Sequence, residues 1–187
     1  MNHSTPKPVI LVFAGPNGSG KSTIANGLPM FGTYINADDL KKEYGLSDLE
    51  AAQQAEHLRN SLLSKRIDFS FETVLSTERN LLLLRKAKEH GYEVQCIYVL
   101  TGDENINVAR VKARFASGGH DVPEDKIRTR YRRCLSFIPE LVDLCDKFLL
   151  FDNSDKPELI YRKEYLKSEM IPNKFWSMEL LVALLSR

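Results

Sequence analysis

The chain has 187 residues, with 26 Lys and Arg against 25 Asp and Glu, for a formal net charge of +1. That length suits one domain with a sizeable core, and the charge balance argues against a general nucleic-acid binder, which carries a basic excess. No run reaches the roughly 18 apolar residues of a membrane helix, and residues 1–8 lack the apolar stretch of a secretory signal.

The first element is residues 9–14, VILVFA, a continuous apolar run that reads as a buried strand. Residues 15–22 follow at once as GPNGSGKS, which fits the phosphate-binding loop pattern at every fixed position. Gly15, Pro16, Asn17, Gly18, Ser19 and Gly20 are the loop, and Lys21, Ser22 and Thr23 open a helix. The glycines let backbone N–H groups turn inward toward phosphate oxygens, and the positive end of the helix dipole points the same way. Lys21 suits the β- and γ-phosphates of ATP, and the Ser22 hydroxyl suits Mg²⁺.

Beyond the loop, strands and helices alternate, the mark of a parallel sheet with crossover helices. Residues 34–36 read as a short strand. A helix is predicted over 48–65, with Leu49, Ala52, Ala55, Leu58 and Leu62 inward, and 69–73 is a third strand. A helix over 81–90 stops at Gly91, a strand runs over 93–100, and a helix spans 103–117 before Gly118 and Gly119. A further helix runs from about 123 to 145, with a bend at Pro139, and 147–151 is another strand. After Pro157, residues 159–164 read as a strand and 176–185 as a helix, with Trp176, Leu180, Leu181, Leu184 and Leu185 packed on the sheet. The three cysteines, Cys96, Cys134 and Cys145, lack metal-ligand spacing and read as core residues of a protein in the reducing cytoplasm.

In such sheets, ligands sit at the carboxyl ends of the strands. The second strand ends in Asn36, Ala37, Asp38 and Asp39. One aspartate there suits a base that takes a proton from a substrate hydroxyl, and Asp38 is preferred. Helix capping is the other role an aspartate has at this place, and Asp39 is its candidate. The third strand ends in Glu72 and Thr73, candidates for holding the acceptor; Glu72 also suits a metal-bound water or an ion pair. No Asp follows an apolar strand in the usual metal-holding position. Between 110 and 133, Arg110 and Arg114 lie four apart on one helix face. The turn Gly118, Gly119, His120, Asp121 leads into a helix carrying Arg128, Arg130, Arg132 and Arg133. Its inward stripe is Ile127, Tyr131, Leu135 and Ile138, with Arg128 and Arg130 at the stripe's edges and Arg132 and Arg133 outward. Two arms bearing arginines around a glycine turn make a lid over nucleotide phosphates, where guanidinium forks bind best. A solvated basic face is the plainer reading. Asn153, after the last of these core strands, is a candidate contact to the nucleotide base, or part of an ordinary turn.

Together, GPNGSGKST, the Asn36-Ala37-Asp38 step, Phe71-Glu72-Thr73, the stretch GGHDVPEDKIRTRYRR and Asp152-Asn153-Ser154 resemble the zeta toxin family of P-loop kinases in its compact stand-alone bacterial form. The resemblance implies an α/β P-loop fold of about five parallel strands with a helical lid. It also implies transfer of the ATP γ-phosphate to a small-molecule hydroxyl. It places the base at Asp38, the acceptor near Glu72, and the phosphate-binding arginines at Arg114 and Arg130. Family members phosphorylate sugars of the UDP-N-acetylglucosamine type and are held inactive by an antitoxin protein. The expectation is therefore an ATP- and Mg²⁺-dependent kinase acting on a small metabolite such as a nucleotide sugar. The rivals are a nucleic-acid end kinase and a slow ATPase acting as a nucleotide-dependent switch.

Overall fold

The computed structural model describes residues 6–28, 30–119 and 121–186. The apolar run Val9–Ala14 forms β1, buried from its second residue onward because parallel strands are covered on both faces. The parallel part of the sheet comprises β2 (Thr33–Ile35), β3 (Phe69–Thr73), β1, β4 (Glu93–Leu100) and β5 (Lys147–Asp152), in that spatial order. These are the five strands expected, but among the described residues the sheet has seven. An antiparallel hairpin, β6 (Glu158–Glu164) and β7 (Lys167–Met170), extends it beyond β5.

The intervening helices are α1 (Lys21–Ala25), α2 (Ala37–Tyr44), α3 (Asp48–Ser64), α4 (Arg79–Glu89), α5 (Glu104–Ala116), α6 (Glu124–Ser136), α7 (Ile138–Leu144) and α8 (Met178–Leu185). The main core lies on one sheet face, where Ile10, Val12, Phe69, Phe71, Tyr98 and Phe148 meet side chains of α3, α4, α7 and α8. Leu11, Phe13, Ile97 and Val99 form a smaller core on the other face with Ala25 of α1. Helices α5 and α6 have their own contact, made by Val108, Val111 and Ile127. The three cysteines are buried free thiols, as their apolar settings predict. Burial pushes the Cys134 thiol up to about 12. Among the described residues, no helix is long and apolar enough to cross a membrane.

Three expectations shift. Helix α3 buries Ala51, Ala55, Arg59 and Leu63, whereas Leu49 is 68% exposed. Its start is fixed by a capping box between Ser47 and Glu50, and its inward face carries a guanidinium in place of an aliphatic row. The helix predicted to bend at Pro139 breaks earlier, at Phe137, because proline is well placed in the first turn of the new helix α7. In α8, Leu181 is fully buried but Leu180 is half-exposed.

The phosphate loop leaves β1 through Gly15, whose φ is +140°. A Cβ there would stand 2.0 Å from the Val99 carbonyl oxygen of the neighbouring strand. Gly45, which ends α2 at φ +65°, has open space where its Cβ would be. Gly15→Ala should therefore destabilise the fold by about 3 kcal/mol or more, combining a backbone clash with a disfavoured φ. Gly45→Ala should lose only about 1 kcal/mol, from φ alone. Urea unfolding of both variants checks this, and equal losses would contradict it.

Candidate active site

The loop is held from both flanks by amides. Asn107 of α5 is fully buried, and its Nδ2 donates to the Asn17 carbonyl at 2.6 Å. Its Oδ1 accepts from the Thr101 hydroxyl at the end of β4. From the other flank, Asn153 donates its Nδ2 to the Ser19 carbonyl at 2.8 Å. The N-cap of α1, Gly20, supplies no side-chain cap, so the first N–H groups of this helix remain open to an anion. Lys21 is buried, and its ammonium donates to the Pro16 carbonyl at 3.0 Å. Burial lowers its pKa, and the nearby Glu72 carboxylate opposes the effect. A cradle of open N–H groups with one buried cation fits a polyphosphate.

Glu72 stands at the carboxyl end of β3, beside Phe13 of β1 in the parallel register. Its Oε2 accepts from the Ser22 hydroxyl at 3.0 Å, and its Oε1 accepts from the Tyr34 hydroxyl at 2.5 Å. Burial, reinforced by this bond to Glu72, pushes the Tyr34 phenol well above its ordinary value. A hydroxyl and a carboxylate side by side are hard oxygen donors of the kind Mg²⁺ takes, with water and phosphate filling the other positions. No group of three or more His, Cys, Asp or Glu that could hold a metal ion occurs among the described residues.

Asn36 ends β2 and caps α2, its Oδ1 accepting from the Asp38 N–H at 2.9 Å. The capping role expected of Asp39 therefore belongs to Asn36. Both aspartates lie in the first turn of α2, but only Asp38 is on the cavity wall.

The arginines divide by partner. Arg110 donates to the carbonyls of Asn153 at 2.7 Å and Ser154 at 3.2 Å, fixing the chain after β5. Arg114, one turn on, lines the cavity. Arg130 of α6 reaches Asn17 Oδ1 at 3.3 Å. Arg128 and Arg132 pair with Glu104, each at 3.0 Å. Arg128 therefore faces its own helix pair, not the loop. His120 lies outside the described residues.

A cavity of about 520 Å³ brings together Asn17, Gly18, Gly20, Lys21, Ser22 and Thr23 with Asp38, Glu72, Thr73 and Arg114. Gly15, Pro16, Ser19, Arg130 and Asn153 are not among its lining residues. The Thr73 hydroxyl accepts from the Leu75 N–H at 2.9 Å and from Asn80 Nδ2 at 2.6 Å, so it also shapes the turn after β3. Arg110, expected on the lid, and Asn36, expected at the end of the second strand, also line the cavity, while Asn107 and Tyr34 complete the site and were not expected in it. Of these last two, Asn107 alone carried a signal, as an amide beside Val108 and Val111 on a buried helical face, but its bond to Asn17 joins segments far apart in the chain.

The zeta toxin family model matches residues 28–164. The chain belongs to the zeta toxin family of P-loop kinases. The match begins after the phosphate loop, so loop and family are independent signs. An uncharacterized protein of Haemophilus influenzae is 32% identical over 127 residues, covering 65% of this chain and 91% of that protein. By shape, the chain is similar to one in the AvrRxo1-ORF1:-ORF2 complex crystallised with ATP, with a TM-score of 0.73 and 16% identity. That alignment covers 97% of this chain but only 64% of the other. A structure from the PezAT chromosomal toxin-antitoxin system of Streptococcus pneumoniae has a TM-score of 0.61 and 19% identity, covering 97% of this chain and 85% of that one.

Asn107→Ala would remove the donor to the Asn17 carbonyl and leave the Thr101 hydroxyl only the Asp103 carbonyl. The expected loss is about 1–3 kcal/mol of stability, with weaker ATP binding because the loop loses a support. Urea unfolding and calorimetric titration with ATP check this. A variant with unchanged ATP affinity would show that the loop holds its shape without Asn107.

Proposed function

We propose that the protein is an ATP-dependent kinase that transfers the γ-phosphate to a hydroxyl of a small metabolite, with nucleotide sugars as the acceptor class. The observation that carries this reading is the meeting of Lys21, Ser22, Asp38, Glu72 and Arg114 on one cavity wall. The loop N–H groups and Lys21 bind the phosphates. Ser22 and Glu72 would hold Mg²⁺, which when bound would neutralise phosphate charge. Asp38 accepts the proton of the acceptor hydroxyl as it attacks. Arg114 and Arg130, on the two arms of a lid at about 110–133, stabilise charge on the transferring phosphoryl group.

The lining residues include no aromatic side chain on which a nucleic-acid base would stack, which favours a small acceptor over an oligonucleotide end. A carboxylate placed as a base favours a kinase over a switch, which needs only a positioned water. The similarity to a toxin-antitoxin protein supports an antitoxin as partner. Three buried free thiols suit a cytoplasmic enzyme.

Asp38→Asn keeps size and removes basicity. ATP affinity should stay near that of the unaltered protein, while phosphate transfer falls by about 10²-fold or more. Asp39→Asn should be mild, since Asp39 is off the cavity wall. ATP titration beside a turnover assay checks the pair, and an inactive Asp39→Asn with an active Asp38→Asn would reverse the assignment.

Arg114→Ala and Arg130→Ala should each lower turnover by roughly 10³-fold, with much smaller effects on ATP binding. Arg132→Ala should be nearly silent, because Arg132 is 72% exposed and bound to Glu104. Equal losses in all three, read by steady-state kinetics, would mean the basic face acts diffusely and the lid assignment is wrong.

A further inference from the structure

Phe71 and Glu72 are consecutive in β3, so their side chains leave opposite faces of the sheet. On the Phe71 side, away from the loop, the Arg59 guanidinium stands 5.0 Å from the Phe71 ring centroid. Arg59 is only 8% exposed, and its Nε has no hydrogen-bond partner. A buried guanidinium ordinarily has an anion beside it, because removing the charge from water is otherwise unfavourable. The carboxylate one turn earlier, Glu56, is taken by Arg79 at 3.2 Å.

The buried group opens onto a cavity of about 140 Å³ walled by Arg59, Arg79, Lys86, Asn60, Asn80 and Glu56, with two leucines. Three cations face one carboxylate that is already paired. The volume holds a single phosphate or carboxylate group and falls below the roughly 300 Å³ at which drug-sized ligand pockets begin. Asn80 also donates to the hydroxyl of Thr73, which lines the active-site cavity, so one hydrogen bond links the linings of the two cavities. Cation–π contact with Phe71 covers one face of the guanidinium, and its Nε is left without a hydrogen-bond partner.

We propose that this cavity between α3 and α4 is a second ligand site, which binds a small oxyanion through the buried Arg59 with Arg79 and Lys86. The site is separate from the phosphate loop and does not depend on the kinase reading. The oxyanion belongs either to a phosphorylated ligand or to a carboxylic acid.

The test uses the full chain carrying Lys21→Ala, so that anion binding at the loop is suppressed. Inorganic phosphate and succinate are titrated separately by calorimetry and thermal shift, with chloride at matched ionic strength as the control. Saturable binding at one site is expected for at least one anion, and the tighter of the two identifies phosphate or carboxylate as the ligand group. Adding Arg59→Met should weaken that binding by roughly tenfold or more, the loss of a charge-assisted contact. Arg79→Ala, at a 67% exposed position that leaves the fold intact, should weaken it several-fold. The proposal is overturned if neither anion binds saturably or if Arg59→Met binds as before. Should Arg59→Met fail to fold, unchanged binding in Arg79→Ala overturns it equally.

Discussion

The parallel pairing of β3 with β1 sets Glu72 beside Phe13, and through that register the carboxylate reaches the Ser22 hydroxyl at 3.0 Å. A slip of one residue would turn Glu72 toward the helices of the main core and turn Phe69 and Phe71 out of it. The register is secured by the same core, because Phe69 and Phe71 are fully buried only when the strand lies this way round. Hydrophobic burial on one face thus positions the chemistry on the other. The Tyr34 hydroxyl of β2 completes the arrangement from the next strand, so β2 and helix α1 both donate to one carboxylate at the end of β3.

The phosphate loop is organised by a different principle. Its curvature leaves backbone carbonyls that regular structure does not satisfy, and side-chain amides from distant segments satisfy them. Asn107 and Asn153 approach from the chain after β4 and after β5, at 2.6 Å and 2.8 Å. Arg110 then ties the second of these segments to α5. The buried Asp152 carboxylate accepts from Asn173 Nδ2 at 2.8 Å and from the Ser154 N–H at 3.0 Å. The chain beyond the hairpin is thereby tied to the same end of the sheet. A loop preorganised in this way does not have to rearrange to bind phosphate, which is how fixed dipoles become effective in a site.

What the sequence revealed follows the range of the forces involved. The loop, the five parallel strands and the carboxylates Asp38 and Glu72 were legible because each depends on local pattern and on the rule that ligands gather at strand ends. Asn107 and the Asn153–Ser19 bond were not, since both join segments far apart in the chain. The capping role fell to Asn36 in place of Asp39, a shift of three residues that only backbone geometry decides. The strand β7, Lys-Ser-Glu-Met, is an exposed edge with no apolar alternation to announce it. Arg59 was hidden for a related reason. In a helix of polar composition a charged residue reads as solvent-facing, and only the packing of α3 on Phe71 turns it inward.

The central claim is that this cavity moves a phosphoryl group from ATP to a small hydroxyl compound. Its most direct measurement is mass spectrometry of the purified protein incubated with ATP, Mg²⁺ and a panel of nucleotide sugars and other hydroxylated metabolites. The account predicts one acceptor class gaining a single phosphoryl group as ADP forms in equal amount. ATP hydrolysis at a rate no acceptor changes, with no phosphorylated product, would contradict it.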